Sequence, residues 1–112
     1  MLIGFKTNKL SRIFNSMDLL KKTYGPEQAR KIALRIKVLE AAPCLADVST
    51  LPPERRHELK GNRKGQFAVD IAQPFRIIFL TKEAIPKGKG GRIDLSKVTK
   101  IVILGVEDYH GD

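Results

Sequence analysis

The chain has a single cysteine, no tryptophan and no long apolar run. One thiol excludes an internal disulfide, and Cys44, beside Pro43, is interpreted as core filling rather than as a nucleophile. No stretch approaches the ~18 apolar residues that a membrane-spanning helix needs. The first six residues become polar too soon for a signal peptide. We therefore expect a cytoplasmic protein without a membrane partner.

Acidic residues are also few. Twelve Asp and Glu stand against 21 Lys and Arg, which gives a formal net charge of +9. Such a charge suits a polyanionic partner, and nucleic acid is the first candidate. A length of 112 residues with 42% hydrophobic residues is typical of one globular domain, predicted over residues 1–112.

Apolar periodicity predicts an α+β fold that begins with a short strand over residues 2–6 and a helical hairpin. The first helix has an apolar stripe interpreted as core: Leu10, Ile13, Phe14, Met17 and Leu20. Tyr24-Gly25-Pro26 is predicted to end this helix and start the next. The second helix has an apolar face of Ala29, Ile32, Ala33, Ile36 and Leu39. Its charged face is predicted to comprise Arg30, Lys31, Arg35 and Lys37.

The second half of the chain predicts a small antiparallel sheet against which the helices pack. After a packed connection over residues 44–56, a hairpin is expected from residues 57–60 and 67–71. Residues 75–80 are predicted to form a central strand covered by the helices, and residues 98–106 the last strand. Residues 82–92 are predicted to form a basic, glycine-rich loop without Walker spacing, so nucleotide cradling is not expected.

The two histidines, His57 and His110, lie at the ends of predicted strands. Imidazole exchanges protons near neutral pH, and RNA cleavage by the 2′-hydroxyl requires both a base and an acid. The alternative is that both are ordinary surface residues. They lack the third nearby ligand that zinc normally takes, so no metal or other cofactor is expected.

A basic cluster surrounds His57, and an isolated arginine lies in the apolar central strand. The cluster could grip phosphate and stabilise a phosphorane, or it could be a solvated hairpin tip. Arg76 is either half of a structural ion pair or a site residue, because a buried charge needs a partner. The cluster consists of Arg55, Arg56, Lys60, Arg63 and Lys64.

Three segments resemble HigB-like toxins, the plasmid maintenance killer proteins of the RelE/ParE superfamily. They are residues 57–67 (HELKGNRKGQF), 74–79 (PFRIIF) and 107–110 (EDYH). Residues 21–25 and 41–45 also look like that family. The resemblance implies a RelE/ParE-like domain acting as the toxin of a type II toxin-antitoxin system. Such a toxin is a metal-independent endoribonuclease that cleaves mRNA on the translating ribosome, and a helix-turn-helix, HigA-like antitoxin neutralises it.

Carried over by residue, the resemblance implies a catalytic set and one RNA-binding residue, Lys60, to which the basic cluster around His57 adds three more. One histidine or Asp108 would take the 2′-hydroxyl proton, the other histidine would assist the leaving 5′-oxygen, and Tyr109 would stack on a base. Lys21 or Lys22 would be an additional upstream lysine. The catalytic set is His57, Arg76, Asp108, Tyr109 and His110. The RNA-binding set is Lys60, Arg56, Arg63 and Lys64.

Two other functions fit the same fold. A ParE-like gyrase inhibitor would need no acid-base residues, so His57 and His110 argue against it. A toxin-like domain without activity would only bind RNA or an antitoxin, and the intact Asp108-Tyr109-His110 argues against that. If the nuclease prediction is right, the two histidines should lie in one cleft.

Overall fold

A computed structural model describes residues 1–63, 65–81 and 93–108, and in these residues three helices pack on a five-stranded sheet. The expected α+β class is confirmed. The helices are α1 (Asn8–Phe14), α2 (Met17–Tyr24) and α3 (Pro26–Ala41). The strands are β1 (Leu2–Phe5), β2 (His57–Glu58), β3 (Gln66–Asp70), β4 (Phe75–Thr81) and β5 (Lys100–Asp108).

The sheet has the order β1-β5-β4-β3-β2, so β4 is central, as predicted. The three contacts among β2, β3, β4 and β5 are antiparallel. The pairing of β1 with β5 is parallel, and the sheet is therefore mixed rather than antiparallel as expected. A tight hairpin would force β1 to run antiparallel to its partner, but β1 is followed by a long helical connection. This connection allows β1 to pair with β5 in parallel.

The predicted first helix is two helices, with a break at Asn15 and Ser16. Ser16 caps α2, because its hydroxyl accepts a hydrogen bond from the Leu19 amide at 3.2 Å, and Asn15 Nδ2 donates to the Ser11 carbonyl at 2.8 Å. These polar side chains compete with continuous helical bonding. The break leaves Met17 42% exposed, so the assignment of this residue to the core is wrong.

The boundary between α2 and α3 lies where the sequence predicts it. Gly25 has a φ of 88°, in the region that favours glycine, and its amide donates to the Lys21 carbonyl at 2.9 Å. Pro26 opens α3, where its fixed φ suits the first helical position. The chain therefore turns a corner between the two helices, and buried residues of both pack in the core with the sheet.

The main core lies between the helices and one face of the sheet. Arg35 is also buried there, which overturns its assignment to the charged face of α3. Its Nε donates to the main-chain carbonyl of Asp70 at 2.7 Å, so the guanidinium stays inside the fold. Buried apolar members of this core include Leu20, Ala29, Ile32, Leu39, Phe67, Val69, Ile77, Phe79, Ile101 and Ile103.

The opposite sheet face, here called the distal face, has a smaller apolar cluster. Leu59, Ala68 and Ile78 are buried in it, and Leu104 packs against them. Ile78 pairs with Gly105 and Phe79 pairs with Ile103, so Leu104 is an extra residue in β5 and forms a bulge. Leu59 covers the distal face directly after β2, so the chain that leads on to Lys60 and Arg63 is anchored at that face.

Candidate functional site

Strand register brings His57 and Arg76 to the distal face. His57 pairs with Ala68, which pairs with Ile78, and residues directly opposite one another share a face. Arg76 is two residues before Ile78 and therefore lies on the same face. Strand spacing and rise put the two Cα atoms roughly 12 Å apart. This separation is within the span of a dinucleotide.

The imidazole of His57 has a fixed orientation. Nδ1 is 2.8 Å from the main-chain carbonyl of Arg55. A carbonyl only accepts hydrogen bonds, so the proton must be on Nδ1 and the neutral ring carries its lone pair on Nε2. Nε2 is buried, with less than 1 Å² exposed. The hydrogen bond to Arg55 fixes the ring, and a substrate can reach Nε2 only when the residues that cover this nitrogen move aside.

The carbonyl that orients His57 belongs to a residue with an uncommon backbone conformation. Arg55 has a φ of 44°, which L-residues other than Asn and Asp seldom adopt. Its amide donates to the Leu51 carbonyl at 3.0 Å, and its Nε lies 2.6 Å from Asp70 Oδ2. Two contacts thus hold Arg55 in the conformation that presents its carbonyl to His57.

Next to this ion pair is a cleft of about 340 Å³, lined by Arg55, Asp70, Gln73, Pro74 and Phe75. The cleft is at the turn between β3 and β4, where Asp70 pairs with Arg76 across the two strands. The cleft therefore lies at the end of the sheet where Asp70 and Arg76 are paired.

Arg76 lies under an ion pair between Glu107 and Arg63. Glu107 is opposite Arg76 in the register, and its Oε1 is 4.0 Å from Arg76 Nη2. Arg63 holds both carboxylate oxygens of Glu107, at 2.8 and 2.7 Å. The side chains of Arg76, Glu107 and Arg63 are 2%, 42% and 32% exposed. Arg76 is therefore a member of an ion pair and a component of the candidate site as well.

The remaining members of the basic cluster have different positions. Arg56 donates from Nε to the Val48 carbonyl at 2.9 Å, and burial lowers the pKa of Arg56 from its ordinary value. It holds the connection before β2 and does not extend over the distal face with His57. Lys60 is exposed next to the buried Leu59, where it is accessible to a ligand. Lys64 lies outside the described residues.

The last residues of the chain are only partly described. Asp108 pairs with Phe75, which packs on the helix-side core, so the register does not bring Asp108 to the face of Arg76 and His57. Tyr109 and His110 lie outside the described residues, and the predicted cleft between the two histidines stays a prediction. Lys21 and Lys22 are exposed in the last turn of α2, on the helix side of the sheet.

Glu107 and Asp70 are site residues that the sequence did not identify. The sequence did indicate that an acidic partner exists, because Arg76 lies in an apolar strand and its buried charge requires a counter-ion. Choosing Glu107 over the adjacent Asp108 needs the register of β4 and β5, which the bulge at Leu104 shifts. No pattern in the sequence indicates the bulge, so the sequence does not show which acidic residue is the counter-ion of Arg76.

A scan against models of protein families finds no match for this chain, and a search of curated proteins finds none. The similarity to HigB-like toxins therefore stays a prediction drawn from the residues. No helix in the described residues is both long and apolar enough to cross a membrane. Within residues 1–63, 65–81 and 93–108, no three His, Cys, Asp or Glu residues lie close enough to hold a metal ion.

Proposed function

We propose that this protein is the toxin of a type II toxin-antitoxin system, an endoribonuclease that cleaves mRNA on the translating ribosome without a metal. One observation carries the proposal: an oriented imidazole, His57, shares a sheet face with Arg76 and with the Arg63–Glu107 ion pair. Proton transfer and phosphate binding are the two requirements of metal-free RNA cleavage.

The chemistry follows from these groups. The 2′-oxygen attacks the adjacent phosphorus, the bond from phosphorus to the 5′-oxygen breaks, and the products are a 2′,3′-cyclic phosphate and a 5′-hydroxyl. Once the residues that cover Nε2 of His57 move aside, this nitrogen takes the 2′-hydroxyl proton or, in the protonated ring, donates to the 5′-oxygen. Arg76 and Lys60 stabilise the negative charge of the phosphorane. His110 is the candidate for the complementary acid-base role, and Tyr109 is the candidate for base stacking. Asp108 is not proposed for this role, because the register places it on the opposite face of the sheet.

The charge of the chain supports a nucleic-acid ligand. A net charge of +9 attracts RNA over a distance and favours fast association at low ionic strength. The ribosome as the place of cleavage and a HigA-like, helix-turn-helix antitoxin as the neutralising partner both rest on the resemblance to HigB-like toxins.

A translation reaction with a labelled mRNA tests this function. The parent chain is expected to produce discrete 5′-hydroxyl cuts only when ribosomes translate the message. His57→Gln is expected to lower the cleavage rate by ~100- to 10,000-fold, the usual loss for one acid-base group. Arg12→Gln is the matched control: Arg12 is exposed on α1, and the parent rate is expected. If the parent chain leaves the mRNA uncut and inhibits DNA supercoiling, the protein is a gyrase inhibitor and the nuclease proposal is wrong.

A further inference from the structure

The buried guanidinium of Arg76 is covered by a carboxylate. Glu107 lies between Arg76, whose side chain is 2% exposed, and Arg63, whose side chain is 32% exposed. An anion arriving from solvent therefore meets Arg63 and Glu107 before it can contact Arg76. The negative charge of Glu107 repels such an anion at the position where a phosphate would bind.

The contact between Glu107 and Arg63 has the geometry that a phosphate would adopt. Two parallel N–H donors of Arg63 hold two oxygens at 2.8 and 2.7 Å, the bidentate mode shared by carboxylates and phosphates. Arg63 Nε donates in addition to Gln66 Oε1 at 3.0 Å, so the guanidinium plane is fixed from a second side. Arg63 is thus already oriented to bind a phosphate in place of the carboxylate.

Resting on the proposed function, we infer that Glu107 is an internal competitor for the phosphate-binding arginines. In the resting chain its carboxylate occupies the position of an RNA phosphate between Arg63 and Arg76. RNA binding displaces the carboxylate, Arg63 transfers its two hydrogen bonds to the phosphate, and Arg76 becomes accessible. Glu107 is then a specificity-determining residue, since a weakly charged ligand cannot displace it.

The exposure of the outer pair makes this exchange feasible. Arg63 and Glu107 are 32% and 42% exposed, and partly exposed ion pairs are weakened by solvent and salt. A polyanion with several contacts can therefore replace one carboxylate. The rival explanation is that Glu107 only neutralises the buried charge of Arg76, as buried charges generally require.

Substitution of Glu107 separates the two explanations. Glu107→Gln removes the competing charge and retains the shape of the side chain and one of its two acceptor oxygens. Glu40→Gln is the matched control, because Glu40 is exposed at the end of α3 and its loss changes the net charge equally. The probe is a short single-stranded RNA oligonucleotide, and its affinity is measured by titration over a series of salt concentrations.

The competitor role predicts that Glu107→Gln binds RNA about 1.5- to fivefold more tightly than Glu40→Gln, the range expected for a partly exposed ion pair. The salt slope should also steepen by ~0.7 for each phosphate newly engaged. Arg63→Gln should weaken binding more in the Glu107→Gln background than in the parent, where Glu107 already occupies Arg63. An affinity and a slope equal to those of Glu40→Gln would overturn the inference.

The proposed function and the inference can fail separately. If the parent cuts mRNA but Glu107→Gln binds RNA no more tightly, only the inference is wrong. If no variant binds or cuts RNA, inorganic pyrophosphate becomes the probe: tighter binding by Glu107→Gln supports the competitor role, and equal binding overturns it. If Glu107→Gln does not fold, Glu107→Asp takes its place, because the shorter carboxylate cannot span both arginines. This variant is also expected to bind RNA more tightly and with a steeper salt slope than Glu40→Gln. Unchanged binding would contradict the competitor role.

Discussion

Arg35 in α3 and Asp70 at the end of β3 are joined by a hydrogen bond of 2.7 Å, from the buried guanidinium to the main-chain carbonyl. Arg35→Met should lower the free energy of unfolding by about 1.5–3 kcal/mol, the usual contribution of a hydrogen bond to a charged group. Denaturant titration measures the loss. Arg30→Met, exposed on the same helix, should change stability by no more than about 0.5 kcal/mol. Equal losses in the two variants would contradict a structural role for Arg35.

His57→Asn should separate the structural and chemical roles of this residue. The Asn side-chain amide can occupy the position of Nδ1 and donate to the Arg55 carbonyl, but it has no group at the position of Nε2. We expect the melting temperature to stay near that of the parent and the cleavage rate to fall by ~100- to 10,000-fold. A folded His57→Asn variant with the parent cleavage rate would remove His57 from the mechanism.

His110→Ala tests the segment beyond the described residues. If His110 is the second acid-base group, the variant should fold, bind its antitoxin and permit growth, while mRNA on ribosomes remains uncut. The expected loss of rate is again ~100- to 10,000-fold. Growth curves after expression without antitoxin measure the effect, and Asp112→Ala is the matched control near the chain end. Growth arrest equal to that of the parent would show that His110 is dispensable.

The ionisation of Asp94 should depend on Ser96. The Ser96 hydroxyl donates to Asp94 Oδ1 at 2.6 Å, and this bond is the main reason that the pKa of Asp94 lies below its ordinary value. A lowered pKa stabilises the folded chain above the unfolded pKa of about 3.9, and this contribution disappears as the pH falls through the folded pKa. Ser96→Ala should raise the pKa of Asp94, measured by NMR titration. Ser49→Ala, at another exposed serine, should leave the pKa of Asp94 unchanged. If Ser96→Ala also leaves this pKa unchanged, the hydrogen bond from Ser96 is not its cause.

The fold class and the position of β4 could be predicted from the sequence, because apolar periodicity reports which face of an element is buried. The corner at Gly25 and Pro26 was equally clear from residue chemistry. The break at Asn15 and Ser16 was not predicted, because the apolar spacing continues through it and the helix is interrupted by the polar side chains of these two residues. Periodicity also misassigned Arg35, because a long polar side chain can be buried when a carbonyl is within its reach.

The site could be predicted in part. His57 and Arg76 share the distal face, and Arg63 contributes to the charge cluster around Arg76. The contacts of Arg56 with Val48 and the partnership of Arg63 with Glu107 could not be predicted, because each depends on residues brought together by the tertiary fold. A basic cluster in sequence does not distinguish cations that anchor the backbone from cations that meet a ligand.

The extra residue in β5 has a consequence for the end of the chain. Side chains alternate between the two faces of a strand, and the bulge at Leu104 reverses the odd-even order of the residues that follow it. If pairing had continued regularly from Phe79 and Ile103, Val106 would lie opposite Arg76, and Glu107 would be turned to the helix side. The same sequence would then cover the buried guanidinium with an apolar side chain instead of a carboxylate. The one-residue bulge in β5 therefore determines whether Arg76 lies opposite a carboxylate or an apolar side chain.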